Sequence, residues 1–84
     1  MVKVKYGEPY RTSFGLSEEK INARTLGSLL GKIEKKYEGK DYADTVQKYA
    51  MIMLNYKSIL NKDNLEHKLK SDDEILLMQM IGGG

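Results

Sequence analysis

The chain of 84 residues has no cysteine and no tryptophan, and it contains one proline and one histidine. Without cysteine there is no disulfide framework and no thiolate to serve as metal ligand or nucleophile. The single histidine, His67, has no second ligand type spaced around it in the way that zinc requires. We therefore expect no metal site and no bound cofactor, and we interpret His67 as a surface residue.

A strong charge of one sign and long apolar runs are also missing. The net charge is +2, and the two arginines, Arg11 and Arg24, lie far apart, so nucleic acid is not an expected partner. No apolar run approaches the roughly 20 residues that span a bilayer. The opening residues Met1–Tyr6 lack the apolar middle of a signal peptide. We expect a cytoplasmic protein without a membrane partner.

The N-terminal half predicts a hairpin followed by a helix. Val2, Val4 and Tyr6 alternate with lysines, which is the pattern of a half-buried strand. A turn at 7–9 leads to a second predicted strand, Arg11–Leu16. Thr25 is a candidate N-cap for a helix of about 13 residues. Five apolar residues at helical spacing form one stripe on it: Leu26, Leu29, Leu30, Ile33 and Tyr37.

The C-terminal half predicts three more strands. After a polar connector over 40–47 with a short helical turn, a strand is expected over Tyr49–Leu54 and a short edge strand over Ile59–Leu60. Leu65 and Leu69, in a polar loop, are expected to pack under the sheet. Ile75–Ile81 has one polar residue, which favours a strand covered on both faces and paired in parallel with the first.

Two strands, a crossing helix and further strands make an α+β, ubiquitin-like β-grasp fold. We expect a mixed sheet of four to five strands with one helix across one face. The domain is expected to cover residues 1–81, and 82–84 form a glycine tail. Three glycines add little to folding but give a thin strip that can thread a narrow channel. The alternative is an idle terminus.

Several polar groups are interpreted as structural. The paired carboxylates Glu18-Glu19 and Asp72-Asp73 lie in turn-like sequence, with no sign of a cleft between them. Gly27 and Gly31 lack the lysine and hydroxyl of a phosphate loop. They weaken the helix by up to about 1 kcal/mol each relative to alanine, and we interpret them as allowing the helix to approach a sheet closely.

Strand parity predicts an open face of the sheet that is rich in methionine. If Val2, Ile52 and Leu77 face the helix, the outward set is Lys3, Lys5, Met51, Met53, Leu76, Met78 and Met80. Methionine adapts to more than one partner, so we predict a docking surface beside the tail. The alternatives are a core position under a loop or a homodimer contact. A shift of one residue would reverse the assignment.

Four segments resemble the small sulfur-carrier proteins of the MoaD/ThiS type, which include the molybdopterin synthase small subunit and the thiamine-pathway carrier. They are Leu69–Ile75 before the last strand, Leu54-Asn55 at the end of the third, Ala23–Leu30 at the helix start, and Gly83-Gly84. The match departs from the family pattern at Asp72 and Tyr56, where glycine is usual. It departs again at Gln79-Met80, where two prolines often stand, and at the additional Gly82.

The resemblance implies a carrier and co-substrate rather than an enzyme. A ubiquitin-activating-type enzyme would use ATP to adenylate Gly84, and sulfide or a persulfide would convert it to a thiocarboxylate. Gly83 would keep the tail narrow in two active sites. The sulfur acceptor would be an enzyme such as a molybdopterin synthase large subunit, to which this chain would be the small subunit.

The resemblance leaves three alternatives open. The chain could serve thiamine rather than molybdenum or tungsten pterin synthesis. It could be a ubiquitin-like modifier that is joined through Gly84 to lysines of other proteins. It could also be an ordinary interaction domain whose tail has no function.

Overall fold

The computed structural model describes residues 1–80, and the predicted glycine tail lies outside the described residues. The strands are β1 (Val2–Tyr6), β2 (Glu18–Ile21), β3 (Met51–Leu54), β4 (Ser58–Leu60) and β5 (Glu74–Met78). The helices are α1 (Tyr10–Phe14), α2 (Leu26–Lys36) and α3 (Val46–Tyr49), with a 3₁₀ turn at Ala43–Thr45.

The five strands form one mixed sheet in the order β2-β1-β5-β3-β4. β5 pairs in parallel with β1, through partners such as Val4 and Ile75, and antiparallel with β3 on its other side. The last strand therefore lies in the centre of the sheet, as its apolar composition predicts. This is the β-grasp arrangement, and the predicted fold class is confirmed.

The core lies between the sheet and α2. The predicted stripe of α2 is buried, with Leu26, Leu29, Leu30 and Ile33 fully inaccessible. The Thr25 side chain accepts a hydrogen bond from the Ser28 backbone N–H, so the predicted N-cap is confirmed. The sheet contributes the inward residues of each central strand to the same cluster: Val2, Val4, Tyr6, Ile52, Ile75 and Leu77.

The predicted second strand, Arg11–Leu16, is wrong. Most of this stretch belongs to helix α1, which ends at Phe14 and is capped by Gly15 with a φ of 81°. Tyr10 and Phe14 are four residues apart, so a helix places both on one side, where both are buried. A strand would also put them on one face, and the sequence alone does not separate these two patterns. β2 begins at Glu18, seven residues after the predicted start at Arg11.

The limits of β3 and β5 also differ from the predicted ones. Tyr49 is the last residue of α3 rather than the first of β3, and it is exposed. The last strand runs from Glu74 to Met78, so the prediction that it continues through Gln79 and Met80 is wrong; its predicted last residue, Ile81, lies outside the described residues. Leu69 is buried and Leu65 packs against the core, as the two loop leucines were expected to do.

The Glu18-Glu19 pair lies in β2 rather than in a turn, and its two carboxylates are in different environments. Glu19 is opposite Val4 and therefore points to the helical side of the sheet. Its carboxylate accepts hydrogen bonds from the Tyr6 hydroxyl at 2.7 Å and from Tyr37 and Lys36. Glu18 points to the other side. The pair therefore has structural roles, as expected, but the predicted turn at these residues is a strand.

Candidate functional site

The face of the sheet turned away from α2 carries one apolar row across three strands, which we call the open face. The pairing registers place Lys5, Leu76, Met53 and Ile59 side by side in that order. The next row pairs Met78 with Met51. Met51 and Met53 flank the buried Ile52 on β3, and Leu76 and Met78 alternate with the buried Ile75 and Leu77 on β5, as strand parity predicts.

The open face is half-buried rather than fully exposed at its centre. Met51, Met53, Leu76 and Met78 are of intermediate exposure, whereas Ile59 on the edge strand is 65% exposed. Gly7 follows β1 directly, and a β-carbon there would lie 2.9 Å from the Met78 β-carbon. Glycine at this position lets Met78 lie close against the main chain.

Charged residues border the apolar rows. Lys3 Nζ lies 3.3 Å from the Glu18 carboxylate and 3.6 Å from that of Glu74, and Lys5 Nζ lies 4.0 Å from Glu74. The predicted lysines are therefore partly neutralised by their neighbours. Exposed pairs of this kind add little to stability, so their main effect is on the charge that a partner meets.

Tyr56 is a residue of this face that the sequence analysis missed. Its ring centroid lies 5.3 Å from Lys5 Nζ, and the residue is 56% exposed. The polar influence of the nearby Tyr56 side chain is the largest cause that raises the pKa of Lys5 and lowers the pKa of Glu74. A residue in a predicted turn has no strand parity, so no pattern in the sequence assigned it to a face. Ile59 was assigned to an edge strand but to no face.

The point where β5 ends is fixed by hydrogen bonds from two other segments. The Tyr10 hydroxyl donates to Gln79 Oε1 at 2.9 Å, and Thr45 Oγ1 lies 2.8 Å from the same oxygen. The Gln79 backbone N–H donates to the Glu8 carbonyl at 3.1 Å. Gln79, the one polar residue of the predicted last strand, thus holds the chain directly before the tail.

The remaining predicted site residues fall at or beyond this point. Met80 is 77% exposed and follows the end of β5. Gly83 and Gly84 lie outside the described residues, as does Gly82. The structure thus brings Lys3, Lys5, Met51, Met53, Leu76 and Met78 onto one face, and β5 leads from that face towards the tail.

The described part of the chain offers no metal centre. Among residues 1–80, no group of three or more histidine, cysteine or acidic side chains is arranged to hold an ion. No helix in the same part of the chain is long and apolar enough to cross a membrane.

The family model described as the ThiS family matches residues 4–84 of this chain. The search of curated proteins found no sequence that matches this chain. Among solved structures, small archaeal modifier protein 1 from Methanosarcina acetivorans has a TM-score of 0.78 at 22% identity, covering 99% of this chain and 95% of that one.

Two further solved structures are similar over their whole length. A chain of the BexX/CysO complex from Amycolatopsis orientalis has a TM-score of 0.75 at 19% identity, covering 100% of both chains. A chain of the complex of subunits 1 and 2 of molybdopterin-converting factor from Helicobacter pylori has a TM-score of 0.68 at 24% identity, covering 99% of this chain and 97% of that one. At these identities the structures establish the fold.

Proposed function

Because the chain belongs to the ThiS family of ubiquitin-like sulfur carriers, we propose that it carries sulfur as a thiocarboxylate on Gly84 for synthesis of a molybdopterin-type cofactor. The observation that carries this proposal is the extent of the family match, which runs through the folded body to the last glycine. The chain is then a co-substrate of two enzymes and catalyses neither step itself.

The chemistry requires activation of the Gly84 carboxylate, because a carboxylate is a poor electrophile. A carboxylate oxygen attacks the α-phosphate of ATP, which forms the acyl-adenylate and releases pyrophosphate. Sulfide then attacks the carbonyl carbon, and AMP leaves with the bonding electron pair, which gives the thiocarboxylate directly. If a persulfide sulfur attacks instead, AMP leaves in the same way and the product is an acyl disulfide, whose S–S bond a thiol reductant must cleave to release the thiocarboxylate. A β-carbon on Gly84 would crowd this attack, and one on Gly83 would widen the tail. ATP is bound by the activating enzyme.

The open face is the proposed docking surface for the adenylating enzyme. It is apolar across Leu76, Met53 and Ile59, and β5 connects it to the tail. Methionine side chains can repack against different surfaces. The same face can therefore serve the sulfur acceptor after the adenylating enzyme has been released, which a carrier with two successive partners needs.

The neighbour from Helicobacter pylori supports the molybdopterin branch, since that structure is a complex of subunits 1 and 2 of molybdopterin-converting factor. A thiamine carrier and a small subunit for tungsten pterin synthesis share the same requirement at Gly84. The second candidate function is that of a protein modifier. It is favoured by the likeness to a small archaeal modifier protein, which has the higher TM-score of 0.78.

Intact-mass measurement tests the proposal and separates the two functions. The chain is incubated with ATP, sulfide and the ubiquitin-activating-type enzyme of the source organism. We expect a mass gain equal to the replacement of one oxygen by sulfur, and its loss when a pterin synthase large subunit and its precursor are added. Larger species that contain target lysines identify a modifier. An unchanged mass, with full biological activity after deletion of Gly83 and Gly84, identifies an idle tail.

A further inference from the structure

The turn between β3 and β4 holds a tyrosine in a backbone conformation that favours glycine. Asn55 has a φ of 52° and Tyr56 a φ of 59°, and the Lys57 N–H donates to the Leu54 carbonyl at 3.0 Å. Two positive φ values at the central residues of the four-residue turn 54–57 are the mark of a type I′ turn, whose second central position is usually glycine. Asparagine tolerates this region, whereas a bulky aromatic residue is strained there.

The fold does not depend on the Tyr56 ring to hold this turn. Asn55 does that work: its N–H donates to the Glu74 carbonyl at 2.8 Å, and its Oδ1 accepts from the Glu74 N–H at 2.8 Å. Tyr56 is more than half exposed and is not part of the core cluster. Strain at an exposed residue that the core does not use points to a role outside the domain.

The ring is placed where that role can be exercised. The ring lies against the Lys5 ammonium group. Lys5 is the first residue of the row that continues across the sheet through Leu76, Met53 and Ile59. Tyr56 thus extends the apolar row with an aromatic side chain that has few torsions to freeze. Tyrosine is among the residues that dominate binding energy in protein interfaces.

We propose that Tyr56 is the aromatic anchor by which the adenylating enzyme recognises the open face, with its ring inserted into an apolar pocket of that enzyme. This inference rests on the proposed function, because the enzyme that acts on Gly84 is the occupant. β5 extends about 13 Å from Glu74 to Met78. A standard protein–protein interface buries about 800 Å² on each partner, which corresponds to a patch roughly 30 Å across. One enzyme surface can therefore cover Tyr56 and the start of the tail together.

The test compares two tyrosines that share the same backbone strain. Tyr42 has a φ of 67° and is 40% exposed, but it lies in the connection after α2 and lines a groove with Gly31 and Lys35. The variants are Tyr56→Gly, Tyr56→Asn and Tyr56→Phe, with Tyr42→Gly as the matched control. The Kd for the adenylating enzyme and the Tm of the free chain are measured for each.

We expect Tyr56→Gly and Tyr56→Asn to weaken binding tenfold or more, with a Tm no lower than that of the natural chain. Tyr56→Phe keeps the ring and should stay within about threefold in affinity, and Tyr42→Gly within about twofold. The inference is overturned if both Tyr56→Gly and Tyr56→Asn lose less than fivefold in affinity for the adenylating enzyme. It is also overturned if Tyr42→Gly or Tyr56→Phe loses as much affinity as they do, or if the Tm of Tyr56→Gly and Tyr56→Asn falls by more than about 4 °C.

The natural chain is the control for the proposed function itself. If the enzyme forms the Gly84 adenylate with the natural chain and binds the Tyr56 variants equally well, the anchor is wrong and the carrier function stands. If the enzyme does not adenylate the natural chain, the proposed function fails before any variant is measured.

Discussion

Glu19 is a half-buried carboxylate that joins three elements of the fold. It sits on β2, and it accepts hydrogen bonds from Tyr6 on β1 and from Lys36 and Tyr37 at the end of α2. Burial opposes its ionisation, but the hydrogen bonds from these three partners outweigh burial and hold the pKa of Glu19 below its usual value. Burial and the same carboxylate raise the pKa values of both tyrosines.

The first prediction concerns the acid stability that Glu19 confers. A depressed pKa in the folded state gives stability that is present above the ordinary carboxyl pKa and is lost as pH falls through the folded value. Glu19→Gln should lower the free energy of unfolding by about 1–3 kcal/mol at neutral pH. The gap to the natural chain should narrow at an acid pH below the lowered folded-state pKa of Glu19, where the carboxylate becomes protonated.

Urea unfolding at the two pH values measures this effect. Glu38→Gln is the control, because Glu38 is an exposed carboxylate at the end of the same helix. A gap for Glu19→Gln that stays constant between neutral and acid pH would contradict the assignment, since the effect would then come from packing rather than from charge.

Asn55 gives a second prediction at the scale of one residue. Its amide donates to Asp73 at 3.1 Å and accepts from the Glu74 N–H, which ties the β3–β4 turn to the start of β5. Asn55→Ala should lower the free energy of unfolding by about 2–4 kcal/mol, because hydrogen bonds are lost and alanine is unfavourable at positive φ. Asn55→Gly should cost less, since glycine accepts this backbone.

Thermal and urea unfolding of the two variants separate the two causes. The difference between Asn55→Ala and Asn55→Gly reports the strain of a β-carbon at a φ of 52°. Equal losses in the two variants would show that only the side-chain hydrogen bonds matter.

At the scale of one element, α2 contains two glycines in different environments. A β-carbon on Gly27 would lie 3.0 Å from the Leu65 β-carbon and 3.1 Å from the Leu65 carbonyl oxygen, and the Gly27 N–H donates to that oxygen. At Gly31 nothing lies within 4 Å. The sequence predicts close approach for both glycines, and the structure places a loop, not the sheet, against Gly27 alone.

The third prediction is that one substitution has opposite signs at these positions. Gly31→Ala should raise the free energy of unfolding by about 0.5–1 kcal/mol, the difference in helix propensity. Gly27→Ala should lower it by about 1–2 kcal/mol, because the Leu65 main chain must move. Denaturant midpoints of the two variants provide the comparison, and a change of the same sign in both would contradict the packing at Leu65.

Secondary structure was predictable from sequence where burial is one-sided and extended, as in β1 and α2. The prediction failed at α1, because this five-residue element has a single pair of buried residues, Tyr10 and Phe14, and their spacing fits either a helix or a strand. Tertiary packing decides such cases. It also decides the role of Glu19, whose partners Tyr37 and Lys36 are distant in the chain.

At the scale of the whole molecule, the candidate site combines a surface with a tail. The methionines of the surface followed from strand parity, because a central strand fixes which side each residue takes. Tyr56 and Ile59 could not be placed without the pairing register. Gly84 was recognised from its resemblance and stays a prediction, since the structure describes the body up to Met80.

The fourth prediction separates the surface from the tail in one kinetic assay of adenylation. Met53→Glu puts a charge at the centre of the apolar row, so we expect KM to rise at least tenfold while kcat changes by less than about twofold. Deletion of Gly83 and Gly84 should abolish turnover but leave the body folded with an unchanged Tm. The shortened chain should then inhibit the natural chain competitively through its intact open face. A shortened chain that fails to inhibit, or a Met53→Glu variant with normal KM, would show that the enzyme recognises the tail without the open face.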